Sequence, residues 1–196
     1  TDFLAAHEHT IKHISFKLAQ HFVSDDPSQS DVDFIANAWR NSNGNLDKIH
    51  SAVIERAVMS KNPKFQWPMT WLFQVVRLSD ARFFQGWGQL NSYDNNLMKA
   101  REIFEELGQG FWHERQPDGY SSDKNEWLSG EMFERRIRFS DAIYSAGKPK
   151  FKSEKIMDRI DANESTRKLV ARVGTNEKAK FIALMCSPEM MGLENA

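Results

Sequence analysis

Cysteine is almost missing: the 196-residue chain has one, Cys186. That excludes an internal disulfide. The neighbours Ile182, Ala183, Leu184 and Met185 make the thiol a small hydrophobe rather than an activated nucleophile. An excess of one charge sign is missing too, with 26 Lys and Arg against 27 Asp and Glu. No overall field therefore recruits nucleic acid, an anionic membrane or a polyanionic substrate. Long apolar runs are absent. The stretch 71–76 is interrupted by Gln74 and followed by Arg77, short of the roughly 18 residues a membrane span needs. There is no G-x-S-x-G elbow, no phosphate-binding P-loop and no G-x-G-x-x-G fingerprint, so no catalytic signature or cofactor is expected. The chain opens at Thr1 with neither methionine nor a basic-then-apolar leader, so it is expected to be a piece of a longer protein or a processed form. Its length fits a single α-helical domain over 1–196.

Helical periodicity is what the sequence has in quantity. Over 7–23, Ile11, Ile14, Leu18 and Phe22 recur at steps of three and four and predict one apolar stripe. Ser30 with Asp33 three residues on has capping-box spacing for a second helix, whose stripe is Val32, Ile35, Ala36 and Trp39. The break at 41–45 leaves Asn45 to cap a third helix carrying Leu46, Ile49, Val53 and Ala57. A fourth, expected from 70 to about 84, is rich in Trp71, Leu72, Val75, Val76 and Leu78 and reads as central. Gly86-Trp87-Gly88 interrupts; Leu97, Ala100, Ile103, Phe104 and Leu107 then predict a fifth helix ending at Gly108. A sixth is expected over 129–146 with Phe133, Ile137, Ser140 and Tyr144 in one sector. Charge-rich 150–172 predicts two weaker peripheral helices, and 175–186 a better one before a short Met190-Met191 turn. No alternating strand pattern is present. The expected fold is all-α, an irregular antiparallel helical bundle of roughly seven to nine helices with one long aromatic-rich loop.

That loop reads FWHERQPDGYSSDKNEWLSG from Phe111. Gln116-Pro117-Asp118-Gly119 suits a type I turn, since proline presets the second position. The turn leaves the rings unexplained. The order Leu107-Gly108-Gln109, Phe111-Trp112, Pro117-Asp118-Gly119-Tyr120, Trp127-Leu128-Ser129, Arg135-Arg136 resembles the C-terminal region of the bacterial domain of unknown function 1800 family. Near the start, His7, Thr10, His13, Lys17-Leu18 and His21-Phe22-Val23-Ser24-Asp25-Asp26-Pro27 are similar to that family's first helix of the region and its acidic exit. Leu184-Met185-Cys186-Ser187-Pro188-Glu189 is similar to its closing segment. Glu8, Ser121 and Gly130 stand where the pattern more often has proline, and Phe16 replaces a basic residue, which puts in doubt any site that needs rigid geometry at Glu8 or Gly130. The resemblance implies a helical bacterial protein whose full-length relatives are longer and often exported. It also implies genes beside those of an exported sulfatase-like family, which becomes a candidate partner. It implies no activity.

Six residues are candidates for binding a ligand or partner: His7, Trp112, Asp118, Tyr120, Trp127 and Arg136. Phe111, Trp112, Tyr120 and Trp127 either stack on a sugar, receive a peptide, or fill the gap between the fifth and sixth helices with their polar tips satisfied; the last is favoured. Arg136 is expected on the flank of its helix's stripe, bound to a carboxylate such as Asp118 or Asp123 that pins the loop. Arg135 and Arg138 read as surface charges, with Glu134 and Arg138 a favourable pair four apart. His9 and His13 share a helical face away from the apolar stripe but lack the glutamate and third ligand of a zinc site, so no metal is expected. His7 and His21 are expected half-buried, and His7 is the better site candidate because the resemblance runs through it. The functional expectation is a non-enzymatic protein-interaction or scaffold module of a larger protein. The alternative is a hydrolase-like enzyme or polysaccharide-binding domain with a cleft at the aromatic loop.

Overall fold

The structure is a computed structural model that describes residues 2–60, 62–81, 100–111, 119–147, 150 and 152–193. Among these residues every regular element is a helix, and there are twelve, more than the seven to nine expected. The additional short ones include α1 (Asp2–Ala5) and α7 (Lys124–Trp127). The chain divides into two compact units, Thr1–Lys64 and Phe65–Ala196.

The first unit packs α2 (Glu8–Phe22), α3 (Gln29–Asn41) and α4 (Leu46–Met59) against one another. Its core is Ala19, Val23, Val32, Ile35, Ile49 and Val53, flanked by Leu18, Trp39 and Ala57. The buried line on α2 is Ile11, Ser15 and Ala19, while Ile14 and Phe22 of the expected stripe are exposed. Small side chains at Ser15 and Ala19 let neighbouring helices approach closely, so the helix turns these inward rather than the larger ones. Leu46 likewise proves exposed on α4.

Capping on α3 is displaced two residues from the Ser30 and Asp33 expectation. The cap is Ser28: its N–H and hydroxyl donate to Asp31 Oδ2 at 2.8 and 2.6 Å, and Asp31 N–H returns a bond to Ser28 Oγ at 3.3 Å. Both pairs have the same spacing. Arg56 of α4 decides between them by donating its Nε–H to Asp31 Oδ1 at 2.6 Å, which ties the buried carboxylate to a second helix. Asn45 caps α4 as expected, accepting from Lys48 N–H at 3.2 Å.

The second unit contains α5 (Pro68–Ser79), α6 (Ala100–Glu106), α7, α8 (Gly130–Gly147), α9 (Ser153–Arg159), α10 (Glu164–Arg172), α11 (Glu177–Met185) and α12 (Pro188–Met191). α5 is central as expected, with Trp71, Leu72 and Val75 buried. It starts earlier than expected, because Pro68 takes the first helical position where its missing N–H costs nothing. It stops at Ser79, where Asp80 turns left-handed (φ 50°) and Lys150 N–H binds Ser79 O at 3.0 Å. The break at Gly86-Trp87-Gly88 and the contribution of Leu97 lie outside the described residues. Helix α11 packs against α8, α9, α10 and α12, and Trp71 Nε1–H reaches Met185 O at 2.8 Å. On α8 the buried residues are Arg136, Phe139, Ser140 and Ile143, so Phe133 of the expected sector is exposed and Arg136 takes the centre of the inner face.

Candidate functional site

The described part of the aromatic region is built on a close approach. Gly108 ends α6 with φ +83°, and a Cβ there would lie 3.0 Å from Met132 Cε and 3.6 Å from Trp127 Cζ3. Trp127 packs into that gap. Its indole N–H donates to Ser121 O at 3.1 Å, and Tyr120 OH donates to Gly110 O at 2.5 Å. The rings form an edge-to-face chain: Tyr120 to Trp127 at 5.9 Å, Trp127 to Trp67 at 5.9 Å, and Trp67 to Phe65 at 5.2 Å between centroids. This is the favourable geometry of quadrupolar rings within a core. Trp127 is buried and Tyr120 half-buried. Trp112 and Asp118 lie outside the described residues.

Arg136 sits in the same unit with a different set of neighbours. Only 1% of it is exposed. Nη2–H donates to Gln66 O at 2.9 Å and Nη1–H to Met191 Sδ at 2.9 Å. Its guanidinium carbon stands 5.3 Å from the Phe65 ring centroid and 5.2 Å from that of Trp71. No carboxylate among the described residues pairs with it, so the expected loop anchor through Asp123 gives way. Asp123 instead caps α7, accepting from Asn125 N–H at 2.9 Å. Burial pushes the Arg136 pKa down to about 10, so the group stays charged at neutral pH and is held by ring faces and a carbonyl. Sequence reading missed Phe65, Gln66, Trp71 and Met191 as its partners because they lie 55 to 71 positions away with no local pattern linking them.

The other chemistry-bearing groups are engaged or solvated. The Cys186 thiol, 3.9 Å from Ser140 Oγ, is pushed up to about 11 by burial and stays protonated. Arg135 pairs with Glu131 and donates to Glu106 O; Arg138 and Glu134 lie 3.8 Å apart, as their spacing predicts. His7, in the first unit, is half-buried and caps α2 by accepting from His9 N–H at 3.3 Å. His9 and His13 are exposed; so is His21, which was expected half-buried, because the rotated α2 leaves the Phe22 side in solvent. The described candidates thus divide: Tyr120 and Trp127 meet, Arg136 lies in their unit among other partners, and His7 belongs to the other unit. Among the described residues no three His, Cys, Asp or Glu side chains are grouped to hold a metal ion, and no helix is long and apolar enough to cross a membrane.

The family model described as Protein of unknown function (DUF1800) matches residues 1–191. The chain belongs to the DUF1800 family. No curated protein and no solved structure matches it. Several DUF1800-like motifs acquire a physical role here. Gly108 makes room for Trp127, Gln109 Oε1 accepts from Met69 N–H at 2.8 Å, and Glu189 accepts from Asn163 N–H at 2.8 Å and from Thr166 Oγ1 at 3.0 Å. These are bonds that hold helices together.

Proposed function

We propose that this chain is a non-enzymatic, α-helical protein-interaction module of a larger protein. One observation carries the reading: on α4 the apolar residues Ile54 and Val58, four apart, are 64 and 81% exposed, on a helix whose other face forms the core of its unit. Apolar side chains gathered along one exposed helix face favour a protein partner over a small ligand. The alternative, a carbohydrate-binding or hydrolytic cleft at the aromatic loop, draws less support. Trp127 buries its ring edge-to-face among its neighbours and spends its indole N–H internally, leaving no free face for a sugar.

The test is site-specific photocrosslinking from position 54 in the full-length parent protein, with Lys12 on α2 as the control position. A discrete adduct from position 54, weakened by Val58→Asp, supports the reading. The exported sulfatase-like neighbour that the family resemblance brings forward is the first protein to probe for in that adduct. Absence of any adduct from position 54 overturns the proposal.

A further inference from the structure

We propose that Asn43 is a site of spontaneous covalent modification, deamidation through a cyclic imide, and that opening of the turn between α3 and α4 sets its rate. This is independent of the interaction surface proposed above.

Asn43-Gly44 is the one Asn-Gly pair in the chain. Such a pair is chemically labile, because glycine has no side chain to hinder attack by its backbone nitrogen on the asparagine before it. Once deprotonated, Gly44 N bonds to Asn43 Cγ; the Cγ–Nδ2 bond breaks and the side-chain nitrogen leaves as ammonia. Water then opens the imide. Hydrolysis of the bond from Gly44 N to Cγ leaves aspartate, and hydrolysis of its bond to the backbone carbonyl carbon leaves isoaspartate, with the chain rerouted through Cβ and Cγ. Water is the only co-reactant, and nothing is oxidised or reduced.

The fold presents the electrophile and withholds the nucleophile. Asn43 is exposed, and its side-chain amide has no hydrogen-bond partner among the described residues. Gly44 N–H, by contrast, donates to Trp39 O at 3.0 Å while Asn43 N–H donates to Arg40 O at 3.2 Å, the paired bonds of a helix end that turns left-handed. Both residues have positive φ, 50° at Asn43 and 79° at Gly44. Asparagine and glycine enter that conformation more readily than other residues, so the turn itself calls for the labile pair.

An amide proton held in a hydrogen bond is released when its segment opens locally. The modification therefore proceeds from the opened turn. Few bonds hold that turn shut: besides the two closing α3, Asn45 N–H donates to Ser42 O at 3.2 Å and the Asn45 side chain caps α4 through Lys48 N–H at 3.2 Å. Isoaspartate inserts one extra backbone atom between Cα of residue 43 and Gly44 N. That atom falls within the rings closed by the Gly44–Trp39 and Asn45–Ser42 bonds, so both are broken in the product and the start of α4 loosens.

Incubation of the chain in mildly alkaline heavy-oxygen water, followed by peptide mass spectrometry, tests this. Label is expected at position 43 as aspartate and isoaspartate, about tenfold more slowly in the folded chain than in urea, the factor that one or two capping bonds supply. Asn45→Ala removes the α4 cap and leaves residues 43 and 44 intact. It should raise the rate severalfold in the folded chain and leave the rate in urea unchanged, with circular dichroism confirming that the variant is folded. Amide hydrogen exchange at residue 45 should be faster in the isoaspartate form. Absence of label at position 43, equal rates in the folded and unfolded chain, a folded-state rate indifferent to Asn45→Ala, or unaltered exchange at residue 45 overturns the proposal.

Discussion

Replacing Arg136 separates the worth of its charge from the worth of its volume. Burial holds its pKa down to about 10, which corresponds to about 3 kcal/mol against the charged form, to order of magnitude. Against that stand the bond to Gln66 O, worth about 2 kcal/mol with the carbonyl left bare on removal, and the contacts with Phe65 and Trp71, about 2 kcal/mol when desolvated. Arg136→Met retains most of the side-chain volume and relieves the buried charge, so it is expected to cost only about 1 kcal/mol by these opposing amounts. Arg136→Ala relieves the same charge but leaves a cavity, which adds about 3 kcal/mol and brings the loss to about 4 kcal/mol. Urea unfolding followed by tryptophan fluorescence measures both, because Trp71 lies against the guanidinium. Equal losses for the two variants, or an alanine variant as stable as wild type, would refute the account of a charge held by ring faces and a carbonyl.

Three further outcomes follow from local geometry. Ser15→Ala should stabilise the first unit by about 1 kcal/mol in thermal melts, because the buried Ser15 hydroxyl has no hydrogen-bond partner and its desolvation is uncompensated; a loss of stability would count against the packing of α2. Gly108→Ala should cost about 2 kcal/mol, combining the left-handed φ of +83° with the 3.0 Å approach to Met132, and an unchanged melting temperature would contradict the close approach beside Trp127. Glu189 has its pKa lowered: burial raises it, but bonds from Asn163, Ser187 and Thr166 outweigh this. A lowered carboxylate pKa stabilises above the unfolded-state value and loses that contribution as pH falls through the folded one. Glu189→Gln should therefore cost about 1 kcal/mol at neutral pH and flatten the acid limb of a pH–stability curve; an identical acid limb would dismiss the role.

The family could be read from dispersed motifs because each reports a local requirement. Gly108 must turn left-handed, and Ser129 must start α8 by accepting from Met132 N–H at 3.3 Å, in place of a proline at Gly130. The candidate site was less legible. Trp127 and Tyr120 were expected to fill a gap with their polar tips satisfied, which is how the structure has them. The carboxylate for Arg136 was expected from the adjacent loop because sequence proximity was the only guide to a partner.

Sequence alone determined that the chain is helical, that α2, α4 and α8 begin after His7, Asn45 and Ser129, and that Trp71, Leu72 and Val75 lie inside, since periodicity and caps depend on residues within one or two turns of each other. Tertiary structure decided which side of α2 and α8 turns inward, and which of two equivalent serine–aspartate pairs caps α3. It also decided that Arg136 rests on Phe65 and Trp71 and binds Gln66 and Met191. Those outcomes depend on close fit and desolvation between segments far apart along the chain, where the free energy of burial outweighs any local preference.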